Sequence, residues 1–196
     1  MRGEVQARLE EAAARLFAER GYLATTVDDI VSAADVSKPA LYRHFESKQH
    51  LHITMLAKHG EALAAAALGA LAAAADLGPD EQIERMITAW FRHVEAHPFV
   101  LRLLFADTTG DPEIQAAHRA VQAKQRANDV VLIERFLPDL PAVEREPVAE
   151  IIRSSLCGLA LWWKDHPEVD RSVLVTAMLR MLTGLRHAAP AADPAT

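Results

Sequence analysis

Apolar side chains recur along this chain at helical spacing, and no stretch alternates as a half-buried strand would. Between Glu4 and Arg20, Leu9, Ala13, Leu16 and Phe17 fall on one stripe, and Gly21 stands where a helix stops, which predicts a first helix. "TTVDDIVSAAD" restarts with Thr26 as N-cap and Asp29 three residues on, where a capping-box acid sits, ahead of Val27, Ile30 and Ala33 or Ala34. After the break at Asp35 and Val36, Ser37 offers another N-cap and Pro39 falls in a first turn, where its missing N–H breaks no intrahelical bond, so a third short helix starts at Lys38. A fourth helix is predicted from Ser47 to about Ala75, its alanine tract interrupted by Leu63, Leu68 and Leu71. Further helical segments run over 81–96, 99–106, 112–137, 143–165 and about 169–185. They are punctuated by Pro98, Gly110-Asp111, Pro138 to Pro141 and His166-Pro167. The pattern predicts an all-α protein without internal repeats.

Two short helices joined by a turn of about four residues, the second bearing cationic and hydrogen-bonding side chains near its start, have the form of a helix-turn-helix. Leu41 and Phe45, four apart, are placed to anchor the second of them on Phe17 and Ile30, which leaves Lys38, Ala40, Tyr42, Arg43 and His44 on other faces.

Composition supports this picture and narrows the function classes. The chain of 196 residues is 51% hydrophobic but 6% aromatic and rich in alanine, which favours helices. The net charge of −6 argues at first against a nucleic-acid partner. Its distribution permits one: the first fifty residues hold seven basic against eight acidic side chains, and Ser37 to Lys48 carries +2, a weak electropositive spot. A single cysteine, Cys157, excludes an intramolecular disulfide and fits a reducing cytoplasm. With no N-terminal apolar segment and no apolar run of the ~20 residues a bilayer needs, the expectation is a cytoplasmic protein with no membrane partner.

Catalytic signatures are missing: there is no HExxH, no ExxH pair, no GxSxG and no phosphate-cradling glycine loop. His93 and His97 lie four apart on one helical segment, but no third ligand stands at fixed spacing, so no metal and no cofactor is expected. Cys157 beside Gly158 reads as a small packing residue rather than a reactive thiol. Met86, Trp90, Phe99, Leu104, Phe105, His118, Gln122 and Trp162 combine bulk with a few polar groups, a mixture that suits either the lining of a small-molecule cavity or an ordinary helical core. The last two helices are apolar on more than one face. Ser154, Gly158 and Leu161 form a narrow stripe that allows close approach, and Val175, Met178, Leu182 and Leu185 continue an apolar face that a monomer would leave uncovered.

The stretch "GYLATTVDDIVSAADVSKPALYRHFESKQHL", Gly21 to Leu51, closely resembles the N-terminal signature of the tetracycline-repressor (TetR) family of bacterial transcriptional regulators. Gly21-Tyr22, Thr25-Thr26, Ile30, Ala34, Val36 to Lys38, Leu41-Tyr42, His44-Phe45, Ser47-Lys48 and Leu51 all stand at the family's spacing. Two positions depart, Asp35 and Pro39, where the family often has glycine. Aspartate tolerates a left-handed turn, so the fold survives, while Pro39 stiffens the helix start and bears on which base pair is read.

The resemblance implies a helix-turn-helix DNA-binding domain over 1–46, an effector-binding and dimerisation domain over 47–187, and a disordered tail over 188–196. It implies a homodimer on palindromic operator DNA, repressing until a small-molecule effector releases it. The implied DNA contacts are Thr26, Ser37, Lys38, Pro39, Ala40, Tyr42, Arg43, His44 and Lys48. Of these, Thr26, Tyr42, His44 and Lys48 hold phosphates, and Lys38 and Ala40 face base edges. The eight cavity candidates become the effector site, and Ser154, Gly158, Leu161, Val175, Met178 and Leu182 the dimer interface. The fourth helix is the expected lever between effector and DNA. Two alternatives belong to other classes: a helical small-molecule-binding protein or enzyme with a vestigial helix-turn-helix, and a DNA-organising protein without an effector.

Overall fold

Glycine at position 21, with φ +81°, closes the first helix, its N–H bonding the carbonyl of Phe17 at 2.9 Å. The structure, a computed structural model, describes residues 2–105 and 111–187. Among these are nine helices: α1 (Arg2–Arg20), α2 (Val27–Ala33), α3 (Lys38–Tyr42), α4 (Lys48–Ala73), α5 (Pro79–Ala96), α6 (Val100–Phe105), α7 (Pro112–Phe136), α8 (Ala142–Lys164) and α9 (Arg171–His187). The chain is all-α, as expected. The tail expected to be disordered, 188–196, lies outside the described residues.

The chain forms two compact units. One comprises 1–62 and 97–122, the other 63–96 and 123–196. The expected boundary at residue 46 followed the helix-turn-helix motif, whereas packing carries the first unit through α4 to Ala62 and recruits 97–122. The cause is that α1 packs on α6 as well as on α2 and α3. Leu9, Ala13, Ile30, Leu41, Leu51, Met55, Leu56, Val100 and Ile114 are fully buried in this first unit, each large side chain contributing about 1.5–3 kcal/mol of burial.

In the second unit α5 packs against α9. The buried Ile83, Ile87, Phe91 and Val94 of α5 and Leu174, Val175, Met178 and Leu182 of α9 recur at the 3–4-residue spacing of a single helical stripe. Ion pairs Glu95–Arg171 and Asp80–Arg186 join the two ends of this antiparallel pair. Trp163 Nε1 donates to the carbonyl of Val169 at 2.7 Å, and its ring meets Phe91 edge-on. Burial pushes the Cys157 thiol up to about 12, which suits packing and not nucleophilic chemistry.

Local sequence explains the turn between α2 and α3. Thr26 caps α2 with a complete capping box: its hydroxyl oxygen accepts from the N–H of Asp29, and the Asp29 carboxylate accepts from the N–H of Thr26. Asp35 then adopts φ 51°, the only non-glycine residue with positive φ among the described residues. Arg8 Nη2 clamps it, donating to its carbonyl at 2.9 Å and its carboxylate at 3.1 Å. Asp35→Gly should leave stability within about 1 kcal/mol of the native chain, because relieved strain offsets the added freedom of the unfolded state and an exposed ion pair contributes little. Asp35→Val should lose about 1–2 kcal/mol, since a β-branched residue resists the left-handed region. Urea unfolding of the two variants checks this; equal stabilities would show that the turn stores no strain.

Candidate nucleic-acid interface and effector residues

The third helix is only five residues long and is held from one side. Leu41 and Phe45 are sunk in the first unit, at 0% and 2% exposure. Lys38, Pro39, Tyr42 and Arg43 face outward, and His44 is half-buried with its ring 6.4 Å from that of Phe45. Ser37 occupies the N-cap position in extended conformation, but its side chain makes no capping bond. Thr26 is exposed, its hydroxyl engaged with the Asp29 carboxylate at 2.6 Å. Lys38 Nζ lies 3.0 Å from Asp28 Oδ1, and this hydrogen-bonded partner raises the lysine pKa.

Ala40 and Lys48 are placed differently from these outward-facing residues. Ala40 is 6% exposed and turned toward the core beside Leu41, so its methyl does not reach a base edge. Lys48 is a staple: Nζ donates to the carbonyls of Tyr22 at 2.9 Å and Thr25 at 2.8 Å and lies 4.1 Å from the centre of the Tyr22 ring. Burial lowers its pKa. The ammonium thus keeps one N–H, and replacing Lys48 removes structure along with charge.

Lys48 begins a series of contacts that fix α4 to α1. One turn on, His52 is 4% exposed, edge-on to Phe17 at 4.6 Å and near Tyr22 at 5.1 Å and His118 at 6.0 Å. Neither of its ring nitrogens has a hydrogen-bond partner among the described residues. Burial first, and then the positive charges of His118 and Lys48, depress its pKa to about 4. Further along, Lys58 pairs with Glu10, whose carboxylate is buried and also accepts from Gln6 Nε2 at 2.9 Å. Gln49 Nε2 reaches Asp111 Oδ1 at 3.1 Å, which ties the start of α7 to the same helix. Up to Ala62, α4 belongs to the same compact unit as the helix-turn-helix.

The eight effector candidates are divided between the units: Phe99, Leu104, Phe105, His118 and Gln122 in the first, Met86, Trp90 and Trp162 in the second. Leu104, 1% exposed, is core, and His118 is buried beside His52. Phe99 and Phe105 are half-buried, and Gln122 Nε2 donates to the carbonyl of Leu104 at 2.9 Å, joining α7 to α6. Trp162 is 44% exposed and stacks on His166, with ring centres 4.0 Å apart. Its neighbour Trp163, not singled out from sequence, is the tryptophan that packs inward.

The interface candidates also separate. Ser154, Gly158 and Leu161 lie on the exposed face of α8 with Ile151 and Trp162. Val175, Met178 and Leu182 are 3–9% exposed and pack within their own unit, so they are not available to a partner. Among the described residues no group of three or more His, Cys, Asp and Glu side chains is placed to hold a metal, and no helix is long and apolar enough to cross a membrane.

Two family models match the chain: "Bacterial regulatory proteins, tetR family" over residues 9–53, and "Tetracyclin repressor-like, C-terminal domain" over 79–185. The HTH-type transcriptional activator FasR of Mycolicibacterium smegmatis is 34% identical over 187 residues, covering 93% of this chain and 83% of that protein. The HTH-type transcriptional repressor KstR2 of Mycobacterium tuberculosis is 36% identical over 98 residues, 48% of each. Among solved structures, the TetR family transcriptional regulator PfmR of Thermus thermophilus superposes with a TM-score of 0.70 at 25% identity, over 93% of this chain and 99% of that one.

Proposed function

The chain belongs to the TetR family of bacterial regulatory proteins, and on that footing we propose that it is a homodimeric repressor that reads a palindromic operator and is released by a small-molecule effector. The observation that carries the reading is α3: apolar anchors sunk at Leu41 and Phe45, with Lys38, Pro39, Tyr42 and Arg43 presented to solvent. Lys38 supplies base-edge donors, while Thr26, Ser37, Tyr42, Arg43 and His44 hold the sugar-phosphate backbone around it. Two such helices, related by a two-fold axis through the exposed face of α8, meet half-sites one helical turn of ~34 Å apart. Purified chain should shift a duplex carrying the palindrome beside its own gene and leave a scrambled duplex unshifted at equal salt. Equal shifts on both duplexes would support the DNA-organising alternative.

Release is supported by the membership of the first unit. Phe99, Phe105 and Gln122 belong to the same packed body as the reading helix, and α6 rests on α1. A ligand seated against them bears on the head through α6, in place of the expected tilt of α4. Its binding must then be weakened by operator DNA by the same factor by which it weakens operator binding, typically 5–150-fold. Calorimetric titration of candidate ligands with and without operator reads this factor. Equal affinities in the two titrations disqualify that ligand, and a broad screen returning only such ligands would defeat the release model. The relative named as an activator supports a second reading, activation of a neighbouring gene. Deletion of the gene separates them, since target transcripts rise without a repressor and fall without an activator.

A further inference from the structure

Asp28 is an acidic side chain on a surface that, under the operator-binding reading, meets phosphates. A carboxylate there opposes DNA binding unless it does something specific. The ordinary role for an acid in the first turn of a helix is capping, but the neighbouring Asp29 already completes the capping box of α2. Asp28 instead leaves its own helix and pairs with Lys38 on α3: Oδ1 is 3.0 Å and Oδ2 3.2 Å from Nζ, with the two side chains 74% and 48% exposed. A donor and an acceptor are therefore presented side by side, 3.0 Å apart, at the start of the reading helix.

We propose that Asp28 and Lys38 read one G·C base pair as a couple, the ammonium donating to guanine O6 and N7 and the carboxylate accepting from N4 of the paired cytosine. Guanine O6 and cytosine N4 are hydrogen-bonded to one another across the pair and so lie ~2.9 Å apart. The donor and acceptor on the protein are 3.0 Å apart, so the two edges form a closed array in which neither protein charge loses its partner. An A·T pair offers its donor and acceptor in the opposite order. With adenine on the Lys38 side the carboxylate faces thymine O4, an acceptor; with thymine there O4 and N6 still match the couple, but the ammonium meets the thymine methyl in place of a second acceptor and the carboxylate meets adenine N7. The order of donor and acceptor excludes adenine on the Lys38 side, and the flanking N7 and methyl groups favour G·C over T·A, with guanine on the Lys38 side. The couple also explains how Asp28 is tolerated near phosphates: its charge is neutralised by the residue it works with.

The inference rests on the operator-binding reading and is tested with the full-length chain. Wild type, Asp28→Asn and Lys38→Gln are each used to select duplexes from a random pool. Affinities are then measured on the selected site and on copies with each base pair exchanged. Wild type should require G·C at one position in each half-site, losing about tenfold to a hundredfold when it is replaced by A·T. Both variants should lose discrimination at that same position and keep it elsewhere. Asp28→Asn should in addition bind random duplex more tightly, since it removes a negative charge. If Asp28→Asn keeps the wild-type preference at every position, Asp28 is only a first-turn acid and the couple is refuted. If wild type selects no sequence at all, the operator-binding reading fails with it. Thermal unfolding of both variants confirms that base preference, and not folding, is being compared.

Discussion

Gly158→Glu should turn a dimer into monomers and weaken operator binding by about two orders of magnitude or more, because a lone head loses the second half-site that dimerisation holds in register. The site is a clean one. A Cβ at Gly158 would meet nothing within 4 Å in its own chain, so a side chain there starts into open space. It does put a charge among Ile151, Ser154, Leu161 and Trp162 on a face that would be buried between two copies of α8. Ile151, Leu161 and Trp162 are 44–57% exposed in the single chain, more apolar surface along one stripe than a soluble helix has reason to show. Met178→Glu provides the contrast. Met178 is 3% exposed and faces α5, so an unpaired carboxylate there should cost several kcal/mol and unfold the second unit, with lost helicity as its signature. Sedimentation and circular dichroism separate the two outcomes, and a Gly158→Glu chain that sediments as a dimer at micromolar concentration moves the interface elsewhere.

His52→Leu should flatten the acid sensitivity of the first unit. The sign follows from the pKa. Above pH 6.5 His52 is neutral both folded and unfolded, and its contribution does not change. Below that, the unfolded chain takes up a proton that the folded chain refuses until about pH 4. Stability is therefore lost as pH falls through this window, by about 3 kcal/mol between pH 7 and pH 4. The groups facing His52 are His118 and Lys48, which oppose the proton, Asp111, which favours it, and the rings of Phe17 and Tyr22. At pH 7 leucine should be neutral or stabilising, since it removes two buried nitrogens that lack partners among the described residues. Other carboxylates titrate in both proteins, so the measure is the difference between their urea-derived stabilities at each pH. Parallel curves would mean that His52 is solvated and titrates normally.

What was legible in the sequence was local. The capping box at Thr26 and Asp29, the left-handed turn at Asp35, the proline start of α3 and the glycine stop of α1 are each written within a few residues. Side-chain direction was harder to read. Trp162 and Trp163 are consecutive, so they point about 100° apart on α8, and composition alone could not say which faces in. On α9 the apolar residues cover so much of the helix that periodicity could not separate the face against α5 from a face for a partner, and Val175, Met178 and Leu182 are buried within their own chain. The unit boundary and the staple at Lys48 depend on contacts between residues far apart in sequence, such as Lys48 with Tyr22, which no spacing rule encodes.

The pairing of Glu10 with Lys58 limits how this regulator can be rebuilt. Chimeras that swap operator specificity are naturally cut at the end of the helix-turn-helix, near residue 46, which would carry Glu10 and Phe17 to a new body and leave Lys58 and His52 behind. The graft would then leave the Glu10 carboxylate with Gln6 but without its cation and set the ring of Phe17 against whatever side chain the recipient has in place of His52, a loss of stability in a small head. A transplantable cassette has to follow the packing instead. It would include the first three turns of α4 or be made only with recipients that already have a lysine or arginine at the position of Lys58. Compatibility among natural relatives should sort by that one position more sharply than by overall identity.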